Sequence, residues 1–206
     1  MSNTRLLLIR HAEVEARYHR TFGGRIDMDL SPQGRTQADS LAAHLRTRDL
    51  AAIYGSPMKR VQQTLASLLT NGRPAPVLLD GLREVDFGDW TGHAWEAVDE
   101  KFQVHAGDWL AHLEAGTIPN GETGYAFRAR VEPCLREILS RHDDQSVAIV
   151  CHGGVIRMIL SILLDLPFPR TNAFEIEYAS VTEVVVLPRR VEIQLLNFTP
   201  WRDLAR

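Results

Sequence analysis

Residues 6–13 read LLLIRHAE: four apolar residues in a row, then an arginine, a histidine and, two places on, a glutamate. A strand covered on one face alternates apolar with polar residues, whereas an unbroken apolar run belongs to a strand covered on both. Residues 52–54, 77–79 and 147–151 have the same character and are expected as buried strands of the same sheet. Between these runs lie helical patterns. Ser31 is placed to cap a helix with Pro32 at its first position, and Ala38, Leu41, Ala42 and Leu45 then recur on one face. Ser56 and Pro57 repeat that start signal ahead of Val61, Leu65, Leu68 and Leu69. Further helices are expected within 93–105, 123–141 and 155–164. Residues 181–187 and 191–196 are rich in β-branched side chains and parted by a short turn, which predicts a closing hairpin at the sheet edge. Strand and helix in alternation predict an α/β layer fold with a mainly parallel sheet.

Composition narrows the classes. At 206 residues the chain suits one domain, 1–206. A net charge of -3 gives no reason to expect nucleic acid as partner, so any positive field is local. Arginine supplies 21 of the 23 basic residues. Cys134 and Cys151 make no disulfide framework, which suits a reducing compartment. The apolar run at 6–9 is too short for a signal-peptide core, and the apolar region 147–166 is broken by His152, Arg157 and Asp165, so no membrane span is expected. The expectation is a cytoplasmic protein; nothing in the chain sets its oligomeric state. Residues 71–76 are a turn-rich connector. Residues 107–124 lack a regular pattern, and the segment from about 86 to 124 is expected as a lid or insertion over the ligand side of the sheet.

Three expected strand ends carry chemistry: Arg10 and His11 after the first run, Arg60 soon after the second, His152 with Gly153 and Gly154 after the fourth. In a parallel sheet these ends share one edge. The motifs RHAE at 10–13, DLSPQG at 29–34, SPMKRVQQT at 56–64, LREVDFGDW at 82–90 and CHGG at 151–154 together resemble the signature set of the histidine phosphatase superfamily, which includes the cofactor-dependent phosphoglycerate mutases. The resemblance implies a phosphoglycerate mutase-like three-layer α/β/α fold with an antiparallel edge strand. It further implies a phosphohistidine on His11, with Arg10, Arg60 and His152 around the phosphoryl group and Glu84 as proton donor. In the family a loop after the first motif also lines the phosphate site. FGGRIDMDLS at 22–31 resembles it, so Gly23 and Gly24 are expected to present amides and Arg25 to reach substrate. Many relatives have asparagine where Arg17 stands and a hydroxyl residue where Val14 stands.

The chemistry suits those roles. A neutral imidazole attacks phosphorus when a hydrogen bond to one ring nitrogen leaves the other lone pair free. Guanidinium forks match the charge spread over a transferring phosphoryl group, so no metal and no cofactor is required. Gly153 and Gly154 would let amides approach an anion at a helix start. Glu84 would protonate the leaving oxygen and then activate water, with Asp86 and Asp89 as competitors for that role. Glu13 would orient the cationic residues or lie on the surface. Trp90, Trp95, Trp109 and Phe127 would stack on a ring-bearing substrate or pack in the core.

Rival functions leave motifs unused. CHGGVIR at 151–157 has the spacing of a cysteine phosphatase, thiolate to arginine, but that assignment gives no work to RHAE, Arg60 or Glu84. A silent ligand-binding relative would be expected to have lost His11 or Arg60. No glycine-rich dinucleotide motif follows a strand. Only 68 positions separate Glu84 from His152, fewer than in typical mutases of the family, which favours hydrolysis of a small phosphorylated metabolite over phosphoryl transfer. REVDFGDW and EIEYASVTEV are most similar to alpha-ribazole phosphatase members, which makes alpha-ribazole 5'-phosphate one candidate substrate beside sugar phosphates, nucleotide-like monophosphates and phosphoserine-type esters.

Overall fold

Successive side chains of a strand point to opposite faces, and both faces of this sheet are covered. Leu6 and Leu8 enter one apolar cluster while Leu7 and Ile9 enter the other. Val147, Ile149 and Cys151 divide from Ala148 and Val150 in the same way. These two runs, β-strands at the centre of the sheet, therefore contain no polar residue, because neither of their faces meets water.

The computed structural model describes residues 3–69 and 72–204. Strands β1 (Thr4–Arg10), β2 (Ala52–Gly55), β3 (Val77–Leu78) and β4 (Ser146–Cys151) run parallel, and β5 (Val181–Leu187) and β6 (Arg190–Phe198) are antiparallel additions at one edge. The order across the sheet is β3-β2-β4-β1-β5-β6. Helices α1 (Pro32–Leu45), α2 (Lys59–Leu68) and α7 (Pro200–Asp203) cover one face. The other face carries α3 (Trp95–Phe102), α4 (Trp109–Ala115), α5 (Gly124–Arg141) and α6 (Gly153–Leu164). This is the expected α/β/α sandwich with its antiparallel edge hairpin. Among the described residues no helix is long and apolar enough to cross a membrane.

Local differences have physical causes. Ser31 caps α1 as expected, its Oγ accepting from the Gly34 amide at 2.8 Å. Ser56 caps nothing: α2 starts at Lys59 behind Met58 with no side-chain cap, because the Ser56 hydroxyl is engaged elsewhere. The run at 77–79 yields only the two residues of β3, and these are not buried; Val77 and Leu78 are 45% and 42% exposed at the outer edge of the sheet. Residues 107–124 contain a helix that their irregular pattern hid, α4, whose Leu110 and Leu113 are buried. Helix α6 begins two residues before the expected 155 because Gly153 and Gly154 form its first turn. Of the 71–76 connector, Asn71 lies outside the described residues.

Glu13 does not orient the cationic residues. Its Oε1 accepts from Ser31 Oγ at 2.7 Å, tying the cap of α1 to the segment after β1. The same junction needs Gly34, since a Cβ there would stand 2.0 Å from the Glu13 carbonyl oxygen, a backbone atom with nowhere to retreat. Gly34→Ala is expected to cost about 1–3 kcal/mol, the usual range for overpacking. A urea midpoint equal to that of the parent protein would show that the junction has slack.

Candidate active site

The three parallel strands β2, β4 and β1 end together. Arg10 is in register with Cys151 and Gly55 with Val150, and two further backbone bonds, His11 N–H to Cys151 O (2.9 Å) and Ser56 N–H to Val150 O (3.1 Å), carry the alignment one residue beyond the strands. His11, Ser56 and His152 are thereby neighbours, although up to 141 positions separate them in sequence. Arg60 joins them from the first turn of α2. At this edge opens a cavity of about 240 Å³ whose wall includes Arg10, His11, Arg60 and Glu84.

His11 Nδ1 lies 2.8 Å from the Ala12 carbonyl oxygen, which can only accept, so the ring proton sits on Nδ1. The Nε2 lone pair is left free, and Arg60 Nε donates to it at 3.1 Å. Arg60 is fixed in that orientation by its other nitrogens, which donate to the carbonyls of Gly24 and Ile26, each at 2.9 Å. Burial brings Arg60 down to about 10, so it remains a cation at neutral pH. Arg10 donates to Ile176 O at 2.6 Å and lies 3.9 Å above the Tyr178 ring; its buried Nε has no partner among the described residues.

His152 is fully buried and not part of the cavity wall, but its ring stands edge-on to that of His11 with centroids 5.2 Å apart. Ser56 Oγ accepts from the Met58 amide at 3.3 Å and lies 2.8 Å from His152 Nε2. The hydroxyl keeps one lone pair and its proton for Nε2, so the direction of that bond follows the His152 tautomer; His152 Nδ1 is buried with no partner among the described residues.

Glu84 is the one carboxylate in the cavity wall among the described residues. It accepts from its neighbour Val85 N–H at 3.0 Å and from the Gly154 amide at 3.3 Å. Only glycine permits that approach, since a Cβ at 154 would meet Glu84 Oε1 at 2.5 Å. The Gly154 amide therefore serves Glu84 rather than standing open to an anion. Asp86 and Asp89 do not reach the cavity: Asp86 accepts from the Gly88 amide at 3.0 Å and Asp89 from Asn120 Nδ2 at 3.1 Å. Gly23, Gly24 and Gly153 line the cavity. Arg25 does not; its Nε stands 4.0 Å from Asp86. Val14 lines the wall, while Arg17 turns outward to Glu15 at 2.7 Å. The four aromatics divide: Trp95 and Trp109 line the cavity, whereas Trp90 and Phe127 are core. Cys151 is buried and does not line the cavity, and burial pushes its thiol far up, which disfavours a thiolate at this position.

Sequence patterns missed Ser56, Tyr18, Tyr178 and Arg157 as members of the site. Arg157 lines the cavity with a buried, unpartnered Nε, and burial followed by the neighbouring Arg10 charge brings it down to about 10. Its spacing gave one signal: four residues after Gly153 on α6, it returns to the same helix face one turn on.

Comparison with known proteins shows the family and the fold. Residues 6–199 match the family model of the Histidine phosphatase superfamily (branch 1). Phosphoserine phosphatase 1 of Hydrogenobacter thermophilus is 31% identical over 195 residues, 95% of this chain and 92% of that protein. Adenosylcobalamin/alpha-ribazole phosphatase of Salmonella typhimurium is 29% identical over 94% of this chain and 96% of its own. The native structure of mycobacterial glucosyl-3-phosphoglycerate phosphatase superposes with a TM-score of 0.83 at 27% identity, covering 95% of this chain and 99% of that one.

Burial, then the charge of Arg60, holds His11 and His152 well below the ordinary imidazole value. In the unfolded chain both titrate near about 6.5. Above that pH neither state binds the proton; below it only the unfolded chain does, so stability must fall as pH falls. The limiting slope is about 1.4 kcal/mol per pH unit for each histidine. Urea unfolding at a series of pH values from neutral to mildly acid should show His152→Asn with a slope shallower than the parent's by about one histidine. Equal slopes would mean that His152 is already protonated in the folded protein.

Proposed function

The chain belongs to the histidine phosphatase superfamily, and from that premise we propose that it hydrolyses a small phosphomonoester in two steps through a phosphohistidine on His11. The observation that carries the reading is the neutral His11 ring, anchored at Nδ1 by Ala12 O and directing Nε2 at a cavity walled by three guanidinium groups and one carboxylate. In the first step the Nε2 lone pair bonds to phosphorus as the ester P–O bond breaks, and Glu84 gives its proton to the departing oxygen. In the second, Glu84 takes a proton from water as that water attacks phosphorus. The N–P bond breaks, His11 is neutral again, and inorganic phosphate leaves.

Arg60 already donates to Nε2. An arriving phosphoryl group would take that donor onto one of its oxygens, so the 3.1 Å contact marks the line of attack. Arg10, whose buried Nε has no partner among the described residues, and His152, whose ring stands edge-on to that of His11, would supply further donors. Charge on the transferring group is thus met by side chains of the chain itself, and turnover is expected to survive chelators.

Residues 86–124 are assigned as a cap within one domain, on the ground that Phe87, Trp95 and Trp109 from this segment join Tyr18 and Phe22 in the wall. Such a wall suits a flat ring on the leaving group, which favours alpha-ribazole 5'-phosphate as substrate. Arg157 favours a second reading, a phosphomonoester with a carboxylate such as phosphoserine, because its buried Nε lacks an anion among the described residues. The two unpaired cysteines suit the cytoplasm.

Alkaline quenching after mixing with radiolabelled p-nitrophenyl phosphate should trap an acid-labile, base-stable phosphoprotein that His11→Ala cannot form. Equal labelling of that variant would exclude His11 as nucleophile. Release of inorganic phosphate from a panel containing both ester types decides substrate class, and transfer without release would indicate a mutase. For Glu84→Gln, kcat/KM is expected to drop about 10²–10⁴-fold on alkyl phosphates, the usual scale of acid catalysis. The drop on p-nitrophenyl phosphate, whose leaving group needs little proton assistance, should be far smaller.

A further inference from the structure

Glu84 sits on a segment, residues 83–87, that belongs to no helix or strand. Such a segment cannot satisfy its carbonyl groups through a sheet ladder, and something else must hold it. Arg130, on α5, does so from outside the cavity. Its Nη1 donates to Gly81 O at 2.8 Å and Arg83 O at 2.6 Å, and its Nη2 donates to Glu84 O at 3.0 Å. The remaining donors go to Glu122, Nε to Oε1 at 2.6 Å and Nη2 to Oε2 at 2.8 Å. All five N–H groups of the guanidinium are thereby engaged.

Glu122 grips the same segment from its other end. Its Oε2 accepts from the Asp86 amide at 3.3 Å, and its own amide donates to Asp86 O at 2.8 Å. The two side chains are 19% and 8% exposed, so water competes little for these bonds. Gly81 is bare for the same reason: a Cβ there would lie 2.5 Å from the Arg130 carbonyl oxygen. Neither Arg130 nor Glu122 lines the cavity.

We propose that the Arg130–Glu122 pair is the positioning device for the proton donor, fixing the backbone on both sides of Glu84 so that its carboxylate stays between the Gly154 amide and the cavity. The inference rests on Glu84 being the acid. A lysine cannot replace Arg130, since three donors on one nitrogen cannot span three carbonyls and a carboxylate.

The test reads kcat/KM for an aryl ester, p-nitrophenyl phosphate, against an alkyl ester, glycerol phosphate, in the parent, Arg130→Lys, Glu122→Gln, Glu84→Gln and the Arg130→Lys/Glu84→Gln double variant. A device that only stabilises the fold would lower both substrates alike. Positioning of the acid instead raises the aryl-to-alkyl ratio, by tenfold or more in Arg130→Lys and in the same direction in Glu122→Gln. In the double variant the ratio should match that of Glu84→Gln alone, because there is no acid left to misplace. If Arg130→Lys fails to melt cooperatively, Glu122→Gln, close in shape to the parent residue, carries the comparison. A flat ratio in Glu84→Gln would overturn the acid role and the inference with it. A raised ratio there beside a flat one in the Arg130 or Glu122 variant, or an additive double variant, would overturn the inference alone.

Discussion

The constraint on which the structure depends is the shared register of β2, β4 and β1. Parallel strands put their C-terminal ends on one edge, and here the pairing of Arg10 with Cys151 and Gly55 with Val150 makes those ends nearly level. Ser56, His11 and His152 are each the next residue along. A slip of one position would turn every side chain of β1 to the opposite face and would carry His11 out of reach of its partners. The uniform apolar run LLLI covers both faces without choosing between registers; the observed one carries the bond from His11 N–H to Cys151 O beyond the strand ends.

What stands at that edge is an unusual concentration of like charge. Arg10, Arg60 and Arg157 face one cavity with a single carboxylate among them, and both histidines are kept neutral by burial and by these cations. Arg10 Nε, Arg157 Nε and His152 Nδ1 are buried there with no protein partner among the described residues. On the proposed reading, a phosphoryl group would supply both negative charge and acceptors. Electrostatics and nucleophile activation would then be one device: burial and the same cations that would attract a phosphate hold the His11 imidazole deprotonated.

Two kinds of support hold the chemistry in place. His11, His152 and Arg60 hang from the sheet and from a helix start, and take their orientation from backbone carbonyls and one serine. Glu84 has no such scaffold. Its loop is clamped by charged groups outside the cavity, and glycine at 81 and 154 lets backbone and side chains close in on it from both directions. The proposed acid and nucleophile thus come from separate structural systems.

Much of this was legible in the sequence. Continuous apolar runs marked the four parallel strands, β-branched runs the edge hairpin and residue type the Ser31 cap; Arg10, His11, Arg60 and His152 stood near expected strand ends, whereas Glu84 was singled out only by the resemblance to the family. Val77 and Leu78 misled for a simple reason: a run's hydrophobicity says that a strand forms, not whether anything packs on its outer side. Only the tertiary structure decided which of Glu84, Asp86 and Asp89 faces the cavity, that Ser56 serves His152 rather than a helix, and that Arg157 and Tyr178 belong to the site. Those outcomes depend on contacts between segments tens of residues apart, and a hydrogen bond that can be made in several ways carries no local pattern until the fold offers it one partner.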